Sequence, residues 1–505
     1  MTPKPPDWLD PLYGAGEMRA VDAWAIEHQG VPSLDLMERA GIGLARAVAA
    51  VACPGPVRIV IGKGNNGGDG LVAARLLRSE GREVDVLMAT APGELQGDAL
   101  INLERLAGGA PEAFHPAGLD RSGVVVDALL GTGFAGEPRG AAADPIAAIN
   151  AAGAPVVACD VPSGVDASTG EVAGEAVMAT VTATFHGPKT GLYVSPGAFH
   201  AGKVEVVEIG IPRGAPAPVA AGLISERVLD LYPGRSREGS KFTSGSVVVA
   251  GGARGLTGAP ALAALAAQRA GAGYVQVAVP EPAAIVLQTQ LLEAMTHGLP
   301  DEDGSHTPEG LERLGALSER AGALVLGPGL GRTEPAVAFA REAAQASALP
   351  LVIDADGLNA HAGAIDSLRG RGAPTVLTPH EGELARLLEV DSATISAHRL
   401  RCVREAAERS GAVVLLKGDD TLIAAPGRPL AVSPGGTAAL ATAGTGDVLS
   451  GLIGALLAKG MDAFEAAALG TVAHVRAGRA AAARHGADHV VAGDVIDSLP
   501  AGFAR

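Results

Sequence analysis

Aromatic residues and cysteines are scarce in this sequence. Of its 505 residues, 3% are aromatic and three are cysteines, namely Cys53, Cys159 and Cys402. Three widely separated cysteines form neither a disulfide framework nor a zinc-binding pattern, which agrees with a reducing cytosol. With so few aromatic rings, the cores must be built from small and branched side chains, and such cores suit parallel α/β sheets covered by helices.

Positive charge and long apolar runs are also lacking. The formal net charge is −16, which argues against general binding to nucleic acids or anionic membranes. The apolar stretches are broken by Gly, Asp, Arg or Lys well before about 18 residues, so we expect no membrane span. Residues 1–10 contain no apolar core and do not resemble a signal peptide. We therefore expect a cytoplasmic protein whose anionic ligands need local positive sites.

The chain is too long for one core of ordinary size, so we expect at least two domains. Strand-like and helix-like runs alternate in both halves, which predicts two doubly wound α/β domains with mainly parallel sheets. The stretch 210–222 contains three prolines and no periodicity, as is typical of a linker. We place the domains at residues 1–216 and 217–505. The predicted strands are 57–61, 83–88, 124–129, 155–160, 180–185 and 204–209, then 246–250, 274–279, 323–326, 351–354, 375–378 and 413–416.

Two segments of the first half, residues 62–67 and 131–136, fit G-x-G-x-x-G directly after predicted strands. This spacing is typical of a Rossmann dinucleotide-binding fold, and Asp85 lies at about the right distance to bind a ribose. Glycine-rich turns also recur in any doubly wound sheet. The pattern alone therefore leaves both interpretations open.

Four polar residues of the first half lie in the turns after predicted strands or near strand ends: Asn66, Asp127, Asp160 and Ser163. In open α/β sheets, ligands bind at the carboxyl ends of the strands, so we expect these side chains to converge on one crevice. Each aspartate taken alone is equally well explained as a helix or turn cap. Together, their carboxylate, amide and hydroxyl oxygens suit a hard cation.

Five ordered motifs of the first half resemble the NAD(P)HX epimerase domain, over roughly residues 12–212: residues 31–41, 62–70, 127–133, 160–164 and 185–189. NAD(P)HX is hydrated, damaged NAD(P)H with two epimers at C6, which this family interconverts. The resemblance implies that Asn66, Asp127 and Ser163 hold a potassium ion. For Asp160 we hypothesise a role as general acid or base. The residues implied to bind the hydrate are Asn65, Asn66, Gly67, Gly68, Asp69, Gly131, Thr132, Gly133, Phe134, Ala135, Gly136, Glu137 and Asp160.

In the second half, the sequence Gly-Thr-Gly-Asp at 444–447 joins a loop to a long apolar run. Backbone N–H groups in such a loop stabilise a transferring phosphoryl group, while Asp447 takes a proton from a hydroxyl. The alternative is a plain helix N-terminus, where Thr and Asp are common caps. The sequence contains no Walker A pattern, so the usual P-loop mechanism is not supported.

Other segments of the second half, together with 444–447, resemble the ADP-dependent NAD(P)HX dehydratase domain of the ribokinase-like superfamily, over roughly residues 223–500: residues 241–245, 257–259, 327–331, 378–383 and 416–421. The resemblance implies Mg²⁺ and ADP as cofactors. Residues 434–438 depart from the family's asparagine-proline-glycine pattern. The implied nucleotide contacts are Lys417, Gly418, Asp419, Asp420, Thr421 and Gly446. The implied hydrate contacts are Ala259, Gly329, Gly331, His380 and Asp447.

The leading hypothesis is a bifunctional repair enzyme for NADHX and NADPHX, which we expect to form a homo-oligomer. One half epimerises the hydrate, and the other dehydrates the S form at the expense of ADP, with Asp447 as catalytic base. The main alternative is a small-molecule kinase of the ribokinase superfamily that carries a nucleotide-binding N-terminal domain. A non-enzymatic scaffold in the first half is a third interpretation, and a dehydrogenase is the least favoured. The residues leave ADP versus ATP, and NADHX versus NADPHX, undecided.

Overall fold

The computed structural model describes residues 5–212, 214–215 and 219–504. Its chain divides into two compact units. The first is Pro11–Gly222, and the second combines the residues up to Asp10 with those from Leu223 onward. The domain boundary predicted between residues 216 and 217 falls outside the described residues.

A parallel, doubly wound sheet forms the first unit. Strand β1 (Leu9–Leu12) belongs to the larger sheet described below. The strands of the first sheet are β2 (Val57–Ile61), β3 (Val84–Met88), β4 (Glu112–Ala113), β5 (Val124–Ala128), β6 (Val156–Cys159), β7 (Val181–Phe185) and β8 (Lys203–Val207). The helices are α1 (Ala15–Glu27), α2 (Ser33–Val51), α3 (Asn65–Ser79), α4 (Gly97–Glu104), α5 (Ala143–Ala151) and α6 (Gly197–Ala201). The strand order is β4-β3-β2-β5-β6-β7-β8, and every neighbouring pair is parallel.

Strand β2 illustrates why the sheet is covered on both faces. Its Ile59 side chain belongs to a core that includes Leu44 of α2 and Leu71 of α3. The adjacent Val60 belongs to a different core, which includes Ile146 of α5. Successive strand residues point to opposite faces, so a strand buried on both sides is apolar throughout. This explains why Val57–Ile61 reads as a continuous apolar run.

A larger sheet organises the second unit. The strands from β9 onward are β9 (Ala221–Ile224), β10 (Ser246–Ala250), β11 (Tyr274–Pro280), β12 (Met295–Leu299), β13 (Asp301–Glu302), β14 (Ser305–His306), β15 (Ala323–Leu326), β16 (Leu351–Ile353), β17 (Thr375–Leu377), β18 (Val413–Leu416), β19 (Leu422–Ala424) and β20 (Leu430–Val432). The helices are α7 (Gly258–Arg269), α8 (Glu281–Gln288), α9 (Leu311–Ser318), α10 (Glu334–Ala346), α11 (Asp356–Asn359), α12 (Glu381–Leu388), α13 (Ser392–Ala397), α14 (Arg399–Ser410), α15 (Thr445–Ala458), α16 (Ala463–His485) and α17 (Ala492–Gly502).

The main sheet of the second unit has the order β1-β9-β20-β19-β18-β17-β16-β15-β10-β11-β12. Its strands run parallel from β12 to β18, and β19 and β20 add antiparallel pairs. The predicted class of two doubly wound α/β domains is confirmed. Among the described residues, no helix is both long and apolar enough to cross a membrane.

The N-terminal segment packs into the second unit, although the sequence suggested the first. Trp8 is only 4% exposed, and its ring centroid lies 5.8 Å from that of Phe464. The Ser225 N–H donates a hydrogen bond of 2.9 Å to the Trp8 carbonyl, and Leu9 belongs to the same core. Burial of one large ring decides where the segment lies, and the proline-rich composition around it gave no sign of that.

The sequence pattern also predicts helices at residues 70–79 and 396–410, and both predictions need correction. The helix predicted at residues 396–410 is in fact two, α13 and α14, because His398 between them has non-helical dihedral angles of −133° and 43°. Helix α3 begins at Asn65, whereas the pattern predicted a start at Gly70. Residues assigned to a glycine-rich loop therefore form the first turns of a helix.

Candidate active sites

The first unit contains a cleft of about 1390 Å³ at the carboxyl ends of its central strands. Its walls include residues that directly follow β2, β5 and β6. The predicted site residues that line it are Asn65, Asn66, Asp69, Gly131, Thr132, Gly133, Phe134 and Asp160. The other predicted residues, which are not among those lining it, are Gly67, Gly68, Ala135, Gly136 and Glu137.

The N-terminus of helix α3 opens into this cleft at Asn65 and Asn66. The first N–H groups of a helix have no partner within it, and the helix dipole makes that end favourable for anions. Gly67 permits the close approach of the preceding loop, because a Cβ atom there would lie 2.2 Å from the Gly62 carbonyl oxygen. Although the protein is acidic overall, the N-terminus of α3 is thus a locally positive site that suits a diphosphate.

The three residues predicted to bind a cation lie together beside the same cleft. Asp127 is fully buried, and its carboxylate accepts hydrogen bonds from the Ser163 N–H at 2.8 Å and hydroxyl at 2.6 Å. The Asn66 amide donates to the Leu130 carbonyl at 3.0 Å, and the Leu130 N–H donates to the Ser163 hydroxyl at 3.0 Å. Burial raises the pKa of Asp127 to about 6, while the bonds from Ser163 counteract this.

This donor set suits a cation of low charge. It combines one carboxylate with amide, hydroxyl and carbonyl oxygens, which are hard ligands. Among the described residues, no cluster of three or more His, Cys, Asp or Glu side chains could hold a metal ion. A potassium ion therefore fits the chemistry of Asn66, Asp127 and Ser163 better than a divalent transition metal does.

A buried ion pair lies at the end of β6. The Lys189 ammonium is 2.5 Å from the Asp160 carboxylate and donates to the Phe185 carbonyl at 2.7 Å. Asp160 also accepts a hydrogen bond from the Thr184 hydroxyl at 3.1 Å. The sequence placed Lys189 inside a family motif but gave it no role, because nothing in the pattern shows that its side chain is only 1% exposed.

Two further carboxylates line the cleft beside this ion pair. Asp69 has a pKa well above its usual value, because it is buried and because Asp160 and Asp22 add negative charge nearby. Asp22 lies on α1, a helix that the sequence analysis did not identify. Asp22 could not have been found from a motif.

The Rossmann interpretation of Asp85 is not supported by its position. Asp85 is the second residue of β3, whereas ligands bind beyond the carboxyl ends of strands in such sheets. Its carboxylate forms an ion pair with Arg58 of the adjacent strand β2. We therefore assign Asp85 a role in the sheet rather than in ribose binding.

In the second unit, the Gly444–Asp447 turn begins helix α15. Gly444 has a φ of 89°, a left-handed conformation that glycine adopts readily, and Thr445 starts the helix. The Thr445 hydroxyl donates to the Leu440 carbonyl at 2.8 Å and the Thr442 carbonyl at 2.9 Å, which anchors the turn. The N–H groups of the first turn of α15 and the Asp447 carboxylate therefore lie together at the N-terminus of the helix.

Asp447 belongs to a cluster of carboxylates around Lys417. The Lys417 ammonium lies 3.0 Å from Asp354 and 3.7 Å from Glu383. A Cβ atom at residue 446 would be 3.4 Å from the same nitrogen, so Lys417 lies beside Gly446. Burial raises the pKa of Asp447 to about 7, with further contributions from Asp354 and Glu383 that Lys417 partly offsets.

Sequence reasoning missed Glu383 as a member of this cluster. It is the third residue of α12, and its carboxylate accepts a hydrogen bond of 2.9 Å from the His380 N–H. The His380 ring nitrogen Nδ1 accepts from the Gly382 N–H at 3.0 Å, so this histidine caps the helix. His380 and Glu383, three residues apart, form a capping pair that could have been recognised in the sequence.

The remaining predicted hydrate contacts lie near one another. A Cβ atom at Gly329 would be 3.2 Å from that of Ala259, which places the loop after β15 against the start of α7. The Gly331 N–H donates to Asp356 at 3.0 Å, and Arg332 forms an ion pair with the same carboxylate at 2.8 Å. Asp356 therefore holds the glycine loop in place.

Within the predicted nucleotide loop 417–421, Asp419, Asp420 and Thr421 have structural partners. Asp420 is buried and lies 3.3 Å from the Arg399 guanidinium. The Asp419 carboxylate accepts from the Gly436 N–H at 3.2 Å. The loop is thus bound to residues 434–438, the segment that departs from the family pattern. The Thr421 N–H donates to the Ser433 hydroxyl at 3.0 Å, which joins the same two segments.

Comparison with known proteins identifies both halves. A family model described as NAD(P)H-hydrate dehydratase matches residues 247–501, and one described as YjeF-related protein N-terminus matches residues 33–191. The bifunctional NAD(P)H-hydrate repair enzyme Nnr of Salinibacter ruber is 42% identical, over 97% of this chain and 95% of its own length. The chain belongs to the bifunctional NAD(P)H-hydrate repair enzymes. It epimerises NAD(P)HX and dehydrates it to NAD(P)H.

A second relative agrees with this membership. The repair enzyme of Moorella thermoacetica is 40% identical over 97% of this chain and 96% of its own length. Among solved structures, the ADP/ATP-dependent NAD(P)H-hydrate dehydratase of Bacillus subtilis, co-crystallised with ATP and Mg²⁺, is 30% identical, with a TM-score of 0.48 over 55% of this chain and 95% of that one. The kinase, scaffold and dehydrogenase interpretations of the sequence are not supported.

Proposed function

We propose that the second unit of this repair enzyme dehydrates the S epimer by phosphoryl transfer from ADP, with Asp447 as the base. The observation that carries this proposal is the Asp447 carboxylate, held with a raised pKa at the N-terminus of α15. A base whose pKa lies near the working pH is effective in proton transfer. The adjacent N–H groups of Thr445 and Gly446 are suited to stabilise charge on the transferring phosphoryl group.

The chemistry balances with ADP as the phosphoryl donor. Asp447 takes the proton of the C6 hydroxyl. The hydroxyl oxygen attacks the β-phosphorus of ADP, and AMP leaves. The electron pair of the ring nitrogen then expels phosphate from C6, and loss of a proton from C5 restores the dihydropyridine. Hydroxide itself is a poor leaving group, so prior phosphorylation explains why a dehydratase shares the ribokinase-like fold.

Charge in this cluster favours a divalent cation. Asp354, Glu383 and Asp447 surround the single ammonium of Lys417, which leaves a surplus of negative charge. Mg²⁺ bound to the nucleotide phosphates would be attracted to this negative charge and would neutralise the phosphates. We assign nucleotide contacts to Lys417–Thr421 and Gly446, and hydrate contacts to Ala259, Gly329, Gly331 and His380.

A product balance tests the dehydration proposal. The full chain, incubated with (6S)-NADHX, Mg²⁺ and ADP, should form NADH, AMP and phosphate in equal amounts. Recovery of NADH without AMP would contradict phosphoryl transfer from ADP. Accumulation of a phosphorylated hydrate without NADH would contradict the elimination step. The same incubation with ATP measures the nucleotide preference, which the residues do not decide.

For the first unit, we propose that the N-terminus of α3 and residues 131–137 bind the hydrate while Asp160 moves the proton. Asn66, Asp127 and Ser163 would hold potassium, which supplies fixed positive charge beside the bound anion. Potassium binds only the folded state, so it should raise the melting temperature of this unit relative to tetramethylammonium. The variant Ser163→Ala should lose most of that difference. An equal difference in both proteins would contradict the assignment.

We also propose that the enzyme is a cytoplasmic homo-oligomer that acts on small molecules, not on nucleic acids or membranes. The acidic net charge and the scarcity of cysteine support the compartment. Strand β8 forms one edge of its sheet, and nearby Phe199 is 61% exposed, which supports association through this edge. Sedimentation of the full chain gives the oligomeric state, and a monomer at micromolar concentration would contradict this part of the proposal.

A further inference from the structure

The cleft of the first unit contains more carboxylates than a single base requires. Asp22, Asp69 and Asp160 all line it, together with Lys189. Asp160 is paired with Lys189, whereas the described residues provide no hydrogen-bond or ion-pair partner for the Asp22 carboxylate. A partly buried carboxylate without a partner lowers the stability of the folded protein. Its presence in a ligand cleft therefore indicates a role in proton transfer.

The substrate itself calls for a second proton-transfer group. Its C6 carries a hydroxyl and is bonded to the ring nitrogen, which makes it a hemiaminal. Inversion at C6 is possible if the C6–N bond breaks to give an aldehyde, the C5–C6 bond rotates, and the nitrogen adds to the other face. This route needs a base for the hydroxyl proton and an acid for the nitrogen.

We propose that Asp22 is the general acid of epimerisation, with Asp160 as the base, and that Lys189 is the positioning residue that holds the Asp160 carboxylate in place through their ion pair. This inference rests on the proposed role of Asp160. As Asp160 removes the hydroxyl proton, the oxygen electron pair forms the carbonyl bond. The C6–N electron pair passes to nitrogen, which takes the proton of Asp22. Ring closure on the opposite face reverses both transfers, so no net proton, oxidant or reductant is consumed.

The electrostatic surroundings agree with this division of roles. Burial raises the pKa of Asp22 to about 6; Lys189 lowers it and Asp160 raises it. The charged groups that face Asp22 are Asp160, Lys189 and Asp69, and Arg19 of its own helix also lines the cleft. The anionic substrate adds further negative charge, which favours the protonated carboxyl. Asp22 is therefore able to retain a proton at weakly acidic pH, where an ordinary aspartate has already lost it.

The test uses four variants of the full chain in an epimer-resolved assay that starts from one pure epimer of NADHX. Asp22→Asn removes the acid, Asp22→Glu restores a carboxyl, and Asp160→Asn removes the base. Glu27→Gln is the matched control, since Glu27 is an exposed carboxylate on the same helix. Thermal unfolding checks that each variant folds. Initial rates are measured as a function of pH, in normal and in ¹⁸O-labelled water.

Asp22→Asn should lower kcat by about 10² or more with little change in KM, which is the usual contribution of a general acid. The wild-type rate should decline at high pH as Asp22 loses its proton, and Asp22→Asn should lack this decline. Asp22→Glu should recover part of the rate. Ring opening keeps the C6 oxygen, so the initial product should contain little ¹⁸O.

Behaviour of Asp22→Asn like that of Glu27→Gln, or incorporation of one water oxygen per epimerisation, would overturn the inference. Unchanged activity in Asp160→Asn would instead overturn the proposed base. An inactive Asp160→Asn beside a fully active Asp22→Asn would leave that base in place and remove only the inference about Asp22.

Discussion

Protonation of Asp447 should control the rate of dehydration between pH 6 and 8. The pKa of this carboxyl is raised from 3.8 to about 7, first by burial and then by Asp354. A base works only when ionised, so about one tenth of the enzyme is active at pH 6 and about nine tenths at pH 8. We therefore expect kcat/KM to rise roughly tenfold over this interval. A carboxyl at its ordinary value would be ionised throughout and would give a flat profile.

The assay follows the return of NADH absorbance from (6S)-NADHX with saturating ADP and Mg²⁺. Because ADP also titrates in this range, the variant Asp354→Asn serves as a control. It removes the negative neighbour that raises the pKa of Asp447 most and leaves Lys417 with its longer contact to Glu383, and both changes lower the pKa of Asp447. The kinetic midpoint should move to lower pH. A midpoint that stays in place in this variant, or a flat profile in the wild type, would refute the role given to Asp447.

Two predictions concern folding. Trp8→Ala should destabilise the second unit by about 3–5 kcal/mol in urea unfolding, since it empties a ring-sized space against Phe464. A fragment that begins at residue 223 should be weakened similarly unless residues 5–10 are supplied, and equal stability with and without them would contradict the packing of this segment. Gly67→Ala should destabilise the first unit by about 1–3 kcal/mol, because its Cβ would clash with the Gly62 carbonyl. Gly16→Ala, with open space around it, is the control, and equal effects of the two changes would contradict this packing.

The sequence predicted most elements whose residues are buried on both faces. Strands 57–61, 246–250, 323–326 and 413–416 have their predicted bounds, because a continuous apolar run between turns has few other structures available. The start of α3 was misplaced because Gly67, Gly68 and Gly70 are poor helix formers. Tertiary packing overrides that preference, since these positions have little room for larger side chains.

The sites were predicted where chemistry and a strand end coincide in sequence. The Ser163 hydroxyl donates directly to Asp127 and is joined to Asn66 through Leu130, as the expected convergence of neighbouring strand ends suggested. Asp22 was missed, because it reaches the cleft from α1, a helix with no catalytic motif. Glu383 was missed because it joins the cluster through Lys417, a residue that is remote from it in sequence. Distances between side chains far apart in sequence depend on packing that no local pattern encodes.

Two separate sites of this enzyme are expected to act on one damaged cofactor in succession. The most direct test gives Asp447→Ala and Asp160→Asn, each as the full chain, an equal mixture of (6R)- and (6S)-NADHX with ADP and Mg²⁺. Asp447→Ala should still interconvert the epimers but form no NADH. Asp160→Asn should convert only the S half promptly, and the R epimer should remain apart from its slow spontaneous exchange. Loss of both activities in either folded variant would contradict the claim.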